Sequence, residues 1–148
     1  MNPSELQDYA LTLGMTVAWG EMDAFGHVNN AVYYRYFESV RIAYLQAVGA
    51  LDRLEECNPV VAANSCRFLR SLTWPDELTV GARVAEVRGS GFRMEYAIFS
   101  GQQQAIVATG DAVVVIVDPS GAKTTLPERV RRAIRDREQA RTGDPSPA

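Results

Sequence analysis

The sequence predicts an α+β domain in which an antiparallel sheet of about five strands wraps around one long central helix. Two observations lead to this prediction. Apolar and aromatic residues recur at three- and four-residue steps across residues 30–48, which is typical of a largely buried helix. Downstream, between residues 60 and 117, apolar and other residues alternate between turn signals, which indicates consecutive hairpin-connected strands. A helix with so broad an apolar stripe has to be covered, and a curled sheet would cover it.

The helix is expected to begin near Asn30 and to end before Gly49. Asn29 and Asn30 are candidate N-caps, because an amide oxygen can accept a hydrogen bond from the free N–H groups of a first helical turn. Glycine readily ends a helix in a left-handed conformation. The apolar stripe consists of small, branched and aromatic side chains: Val32, Tyr36, Phe37, Val40, Ala43, Tyr44, Ala47 and Val48.

Five strands are expected, over residues 15–19, 60–73, 78–84, 92–98 and 105–117. The last of them is almost continuously apolar, which suits a strand covered on both faces or by a partner. Pro127 opens a final helix that runs to about residue 141, and residues 142–148 are expected to be disordered. Residues 1–148 are therefore predicted to form a single domain with a core over about 15–118.

Composition and charge exclude several classes of partner. The 148 residues are 47% hydrophobic and 22% charged, which is typical of one globular domain. A net charge of −3 offers no overall attraction to nucleic acid or anionic lipid. No apolar run reaches the roughly 18 residues of a membrane span, and the N-terminus lacks the pattern of a signal peptide. A cytoplasmic protein with no nucleic-acid or membrane partner is expected, with Cys57 and Cys66 as reduced thiols.

Several chemistries lack the residues that they need. One histidine, His27, and two separated cysteines are a poor set of zinc ligands, so no metal site is expected. There is no GxxxxGK[ST] phosphate loop, no strand-linked GxGxxG turn and no GxSxG nucleophile elbow. The segment Gly89-Ser90-Gly91 is better interpreted as a hairpin turn. No cofactor is expected.

The segment over residues 19–30 places two acids, one histidine and two amides directly before the helix. A helix start offers unpaired N–H groups and a partial positive charge, which can bind a developing oxyanion. The Asp23 carboxylate could attack a carbonyl or deprotonate water there, or it could simply accept hydrogen bonds from its own loop. By analogy with cysteine, a thiol leaves as a thiolate with a pKa of about 8.5, so thioester cleavage needs little acid assistance. One carboxylate and oxyanion donors could suffice for it.

The run WGEMDAFGHVNNAVYYRYFE over residues 19–38 resembles the signature of the hot-dog-fold acyl-CoA thioesterases, and more narrowly of their 4-hydroxybenzoyl-CoA thioesterase branch. The order of one helix and four strands extends the resemblance over about 15–118. The resemblance implies hydrolysis of an acyl-CoA to free acid and CoA, with CoA as part of the substrate. It makes Asp23 the nucleophile or general base and the backbone N–H of Asn30 the oxyanion donor. Aromatic-substrate relatives often carry tyrosine at the position of Asn30, so the acyl group stays open.

Other residues of this segment have a structural and a functional interpretation. Gly26 is expected to supply the backbone conformation of the turn into the helix, where substrate would bind. Asn29 is expected to be the N-cap that also fixes the oxyanion donors. His27 is either a structural histidine or a residue that contacts substrate or orients Asp23. Tyr33 packs in the core or in a dimer interface, or it lines the acyl pocket.

Arg88 and Arg93 flank the 89–91 turn. They are either solvated arginines or, as the resemblance implies, a clamp for the phosphates of CoA. Glu21 is interpreted as a structural acid at the end of a strand. The arginines of the final helix alternate with acids and are interpreted as a solvated face.

The resemblance also implies a homodimer or homotetramer with sheets joined edge to edge and active sites at the subunit boundary. About five strands around a helix leave open edges that such an assembly would pair. Two other functions stay open. One is an acyl-CoA binding protein without turnover. The other is a hot-dog hydratase or dehydratase, in which His27, the single histidine of the sequence, would be the candidate catalytic histidine.

Overall fold

The computed structural model describes residues 3–142, so most of the tail that is predicted to be disordered, residues 143–148, lies outside the described residues. One five-stranded antiparallel sheet has the order β1-β3-β4-β5-β2. Its strands are β1 (Leu11–Thr16), β2 (Asn58–Phe68), β3 (Glu77–Arg88), β4 (Gly91–Ser100) and β5 (Ala105–Val117). Two helices, α1 (Asn30–Ala47) and α2 (Glu128–Thr142), and two short 3₁₀ helices, Ser4–Leu6 and Trp19–Glu21, complete the fold. The predicted fold class is confirmed.

Helix α1 lies against the sheet through most of the stripe that its sequence predicts, although Ala47 at the end of that stripe is exposed. Its buried side chains include Tyr33, Tyr36, Phe37, Val40, Tyr44 and Leu45. The ring of Phe37 stacks on that of Tyr96 in β4, with centroids 4.9 Å apart and an interplanar angle of 15°. A Cβ at Gly110 in β5 would lie 2.5 Å from the Phe37 ring, so the absence of a side chain there allows the helix to approach the sheet.

The first strand begins earlier than predicted. Pairing with β3 sets its position, from Leu11 opposite Ala82 to Thr16 opposite Glu77. Beyond it, the Val17 N–H donates to the Asp76 carbonyl at 3.0 Å and the chain enters a 3₁₀ turn, so the predicted strand at 15–19 is wrong in its second half. This pairing depends on a distant segment, which residues 15–19 do not reveal.

Strand β2 ends at Phe68, short of the predicted residue 73. The N–H groups of Leu69 and Arg70 both donate to the Val107 carbonyl, at 2.8 and 3.0 Å, and this shared acceptor ends the regular ladder. The following residues therefore form a connection beside the start of α1, where the site described below lies. β2 itself is an edge strand and most of its side chains are exposed.

Helix α2 packs through the buried side chains of Val130 and Ile134, which confirms the predicted final helix. The Glu138 carboxylate accepts hydrogen bonds from the Tyr44 hydroxyl at 2.5 Å and from the Val84 N–H at 2.9 Å. These bonds join α2 to α1 and to the irregular part of β3. Neither helix within residues 3–142 has the length and apolar character needed to cross a membrane.

Candidate functional site

The loop before α1 closes on itself around Asp23. The Asp23 N–H donates to the His27 carbonyl at 2.9 Å, and the Gly26 N–H donates to the Asp23 carbonyl at 3.0 Å. Gly26 has φ +84°, a conformation that a residue with a Cβ rarely adopts, in agreement with the turn expected there. An isolated bridge between Met22 and Val28 joins the two arms of the loop. The loop therefore holds Asp23 by backbone bonds.

Two backbone hydrogen bonds attach this loop to its surroundings. The Val28 N–H donates to the Leu72 carbonyl at 2.8 Å, which connects the loop to the segment that follows β2. The Asn29 N–H donates to the Glu21 carbonyl at 3.0 Å, which connects the helix cap to the beginning of the loop. Both ends of the loop are therefore fixed relative to the first turn of α1.

Glu21 adds a side-chain anchor to the same loop. Its Oε1 accepts a hydrogen bond from the Tyr36 hydroxyl at 2.7 Å and another from the Ala18 N–H at 2.8 Å. Tyr36 belongs to α1 and is buried. Burial, together with the hydrogen bond to Glu21, raises the pKa of the Tyr36 phenol far above its usual range. The phenol thus stays a neutral donor, and Glu21 has the structural role expected from the sequence.

The first turn of α1 presents a free donor. The Asn29 side chain caps the helix, accepting from the Ala31 N–H at 2.9 Å, and the Val32 N–H donates to the Asn29 carbonyl at 2.9 Å. Within residues 3–142, the backbone N–H of Asn30 has no hydrogen-bond partner. An unpaired N–H at a helix start is the kind of group that can bind an oxyanion.

A groove of about 400 Å³ brings these groups together. It is lined by Asp23, Phe25, His27, Val28, Asn30, Tyr33, Phe68, Leu69, Arg70 and Ser71. The Asp23 Oδ1 accepts from the Phe25 N–H at 2.9 Å, so this carboxylate does bond its own loop, while its second oxygen has no hydrogen-bond partner in the described part of the chain. Asp23, which has a carboxylate oxygen with unused bonding capacity, and Asn30, which has an unpaired backbone N–H, therefore both line the groove.

His27 and Tyr33 form two different walls of the groove. The His27 imidazole is exposed and makes no hydrogen bond or ion pair within residues 3–142, so His27 holds Asp23 through its backbone carbonyl. Tyr33 is buried, and its ring meets that of Phe68 edge-on at 4.9 Å. Burial raises the pKa of the Tyr33 phenol, and a hydrogen bond from the Leu72 backbone opposes this shift. Tyr33 is thus a neutral wall between core and groove.

Comparison with known proteins identifies the family. The model of the thioesterase-like superfamily matches residues 17–134, which include the loop, α1 and all the strands except β1. The chain belongs to this superfamily. A thioesterase of Thermus thermophilus, crystallised with coenzyme A and zinc, is 34% identical and superposes with a TM-score of 0.79 over 88% of this chain and 96% of that chain. The predicted hot-dog thioesterase resemblance and fold are confirmed.

Two curated relatives match over shorter segments. The Bacillus subtilis protein YsmA is 32% identical over 82 residues, which are 55% of this chain and 56% of that protein. The chloroplastic acyl-acyl carrier protein thioesterase ATL3 of Arabidopsis thaliana is 26% identical over 114 residues, 75% of this chain and 60% of that protein. The chain thus spans little more than half the length of the curated relatives that it matches.

One side of the groove, formed by the residues that follow β2, is not predicted from the sequence. The sequence predicts a strand that continues to residue 73, whereas β2 ends at Phe68 and the structure turns Leu69, Arg70 and Ser71 toward the start of α1. The polar pair Arg70-Ser71, which lies between Leu69 and Leu72, is the available signal. Phe25 is also not predicted as a residue of the site. In the structure its side chain is 86% exposed, which is unusual for phenylalanine.

Arg88 and Arg93 do not line the groove that contains Asp23. The hairpin that they flank contacts α2, with Arg131 donating to the Arg88 and Gly89 carbonyls at 3.2 and 3.3 Å. Arg129 bonds the Gly49 carbonyl at 2.7 Å, so this region lies at the C-terminal end of α1, about 27 Å from its start for 18 residues. The structure therefore does not bring the two arginines to the Asp23 groove of the same chain.

Both arginines already have carboxylate partners. Arg88 pairs with Glu86 at 3.1 Å, and Arg93 pairs with Glu95 at 3.0 Å. A CoA phosphate bound there would have to displace these carboxylates or share the guanidinium groups with them. The CoA clamp stays a prediction.

Among residues 3–142, the groove has no cluster of metal-binding side chains and no cysteine in its lining. Within residues 3–142, no group of three or more His, Cys, Asp or Glu side chains could hold a metal ion. Cys57 is buried, Cys66 is partly buried, and both are free thiols. Burial raises the pKa of both thiols, that of Cys66 to about 11, so both stay protonated at neutral pH.

Proposed function

We propose that this chain hydrolyses acyl-CoA thioesters to free acids and CoA. The observation that carries the proposal is the groove in which the Asp23 carboxylate and the unpaired N–H of Asn30 lie together, in a member of the thioesterase-like superfamily. The similarity to a thioesterase crystallised with coenzyme A supports CoA as the carrier. The similarity to an acyl-acyl carrier protein thioesterase makes a carrier-protein thioester the second substrate to test.

The reaction needs few groups. A thioester carbonyl placed in the groove would accept a hydrogen bond from the Asn30 N–H, which stabilises the oxyanion that forms on the carbonyl oxygen. With Asp23 as general base, water attacks the carbonyl carbon while its proton moves to the carboxylate; the C–S bond then breaks and the CoA thiolate takes a proton. With Asp23 as nucleophile, an acyl anhydride forms, CoA leaves, and water hydrolyses the anhydride.

The walls of the groove fit an apolar acyl chain next to a polar reacting centre. Phe25, Phe68 and Leu69 are respectively 86%, 44% and 52% exposed, so their apolar surface is available to a ligand. Burying such surface against an acyl chain is favourable at about 25 cal/mol per Å². We infer that the groove accepts an apolar segment, whose length stays open.

We also propose that the chain functions as a homodimer or homotetramer. β2 is an 11-residue edge strand, and it carries Val60 and Val61 at 40% and 38% exposure. An exposed apolar edge is a site for pairing with a second sheet. Because β2 ends at Phe68, directly before Leu69 and Arg70, a partner paired along this edge would approach the groove.

Two alternatives remain distinguishable. An acyl-CoA binding protein would use the same groove without turnover, and the free oxygen of Asp23 argues for turnover. A hydratase would need an acid–base residue such as histidine held in position by a second group. The His27 imidazole has no such partner within residues 3–142, which disfavours this function.

The experiment is the Asp23→Asn variant, assayed with a panel of acyl-CoAs and a dye that reports free thiol. Asparagine keeps an oxygen that can accept from the Phe25 N–H, so the loop should survive while the base or nucleophile is lost. We expect kcat to fall at least about 100-fold, the scale of a lost base or nucleophile. Asp136→Asn, on the exposed face of α2, is the matched control and should retain wild-type activity.

Three results would contradict parts of this proposal. Full activity in Asp23→Asn would exclude the mechanism. Tight binding of acyl-CoAs without release of thiol by the wild type would establish a binding protein instead. Addition of water to an enoyl-CoA without thiol release would establish a hydratase.

A further inference from the structure

Arg70 lies in the groove on a backbone that is fixed from several sides. The N–H groups of Leu69 and Arg70 share the Val107 carbonyl, and Gln103 donates from Nε2 to the Ser71 carbonyl at 2.8 Å. One residue further, the Leu72 carbonyl accepts from the N–H of Val28 in the Asp23 loop. The Arg70 backbone therefore keeps a constant position relative to that loop.

The guanidinium of Arg70 has no internal partner. It is exposed, and within residues 3–142 it makes no ion pair or side-chain hydrogen bond. By contrast, three arginines of β3 and β4 pair with carboxylates: Arg83 and Arg93 with Glu95, and Arg88 with Glu86. Arg70 is thus a permanent cation with five unused donors in the same groove as Asp23 and Asn30.

A cation at this place has an electrostatic consequence for the substrate. The Asp23 carboxylate and the net charge of −3 both repel an anionic ligand that approaches the groove. A guanidinium offsets this repulsion and matches the geometry of a carboxylate or phosphate, which it can bind through two parallel hydrogen bonds.

We propose that Arg70 forms an anion-binding subsite of this groove, which receives a negatively charged group of the thioester ligand. Two parts of such a ligand carry this chemistry: the phosphates of CoA and a carboxylate at the far end of the acyl chain. The proposal rests on the proposed function for the identity of the ligand, because it takes the groove to be the thioester site. It assigns to Arg70 a role in binding and specificity, and no role in bond cleavage.

The test uses equilibrium binding of four stable thioethers, so that it does not depend on turnover. Two carry CoA, with an octyl or a 7-carboxyheptyl chain, and two carry the same chains on N-acetylcysteamine, which lacks the phosphates. Kd values are measured by calorimetry, or by NMR titration for weak ligands, with wild type, Arg70→Gln and Arg70→Lys. Arg67→Gln is the matched control, because Arg67 is exposed, lacks a partner within the described residues and lines a different recess beside Asp111.

We expect Arg70→Gln to raise Kd about tenfold for the ligands that carry the recognised anion, the size of one charge-assisted hydrogen bond. Arg70→Lys should recover part of the loss. Weakening of both CoA ligands identifies the phosphates, and weakening of both carboxylated ligands identifies the acyl carboxylate. Equal weakening of all four ligands, or an effect no larger than that of Arg67→Gln, would overturn the subsite.

This design separates the subsite from the reaction. If no acyl-CoA is hydrolysed but the Arg70-dependent difference in Kd remains, the hydrolase proposal fails and the subsite stands. If acyl-CoAs are hydrolysed and the four Kd values do not depend on Arg70, the subsite fails and the hydrolase proposal stands. Thermal melts of the Arg70 variants check that each one folds.

Discussion

The hydrogen bond from the Tyr36 hydroxyl to the Glu21 carboxylate links the buried helix to the loop that carries Asp23. Tyr36→Phe removes only the hydroxyl. A hydrogen bond to a charged group contributes about 1.5–3 kcal/mol. Tyr36 is 5% exposed, so water cannot easily replace it at the Glu21 carboxylate, although that carboxylate keeps its bond from the Ala18 N–H. We therefore expect a loss of about 2 kcal/mol in the free energy of unfolding.

A loss of this size is measurable by heat and by urea. For a chain of this length it lowers Tm by about 4–8 °C, at roughly 2–4 °C per kcal/mol. A double-mutant cycle with Tyr36→Phe, Glu21→Ala and the double variant isolates the pair. We expect a coupling energy of about 1.5 kcal/mol, because removal of either partner already abolishes the same bond.

Tyr34→Phe is the control for the loss of a hydroxyl from α1. Tyr34 is only partly buried, and its hydroxyl makes no hydrogen bond in the part of the chain that the structure describes, so we expect a change below about 0.5 kcal/mol. If Tyr36→Phe is as stable as Tyr34→Phe, or if the two single losses add fully in the double variant, the bond does not anchor the loop.

Two further predictions concern β2. Val60→Lys should convert the proposed oligomer to monomer in light scattering and lower activity, because a charge on an edge strand opposes pairing; Leu54→Lys, at an exposed residue outside the sheet, should leave the oligomer intact. An unchanged mass for Val60→Lys would place the interface elsewhere. Burial raises the pKa of Cys66 from 9.0 to about 11. Its alkylation by iodoacetamide at pH 8 should therefore be about 100-fold slower than that of a solvent-exposed cysteine thiol with the usual pKa. The rate should then rise about tenfold per pH unit up to pH 11, and a plateau near pH 9 would refute this.

Much of the fold could be predicted because its signals are local. The N-cap at Asn29, the left-handed Gly49 with φ +75° and the three- and four-residue apolar spacing define α1 within a few residues. The bounds of β5 were predicted correctly for the same reason, since its apolar run ends in turns on both sides. By contrast, β1 was misplaced and β2 was extended too far, because the ladder partners Ala82 and Val107 set those limits.

The candidate site divides in the same way. The sequence by itself determined that Asp23 and His27 lie in the loop directly before a buried helix that begins at Asn30, because their proximity is a matter of covalent spacing and helix capping. Only the tertiary structure decided that Arg70 and Phe68 line the same groove as this loop, and that the hairpin flanked by Arg88 and Arg93 contacts α2 away from that groove. Strand register and the bond from Val28 to Leu72 bring distant segments together, and no local pattern of residues encodes such a contact.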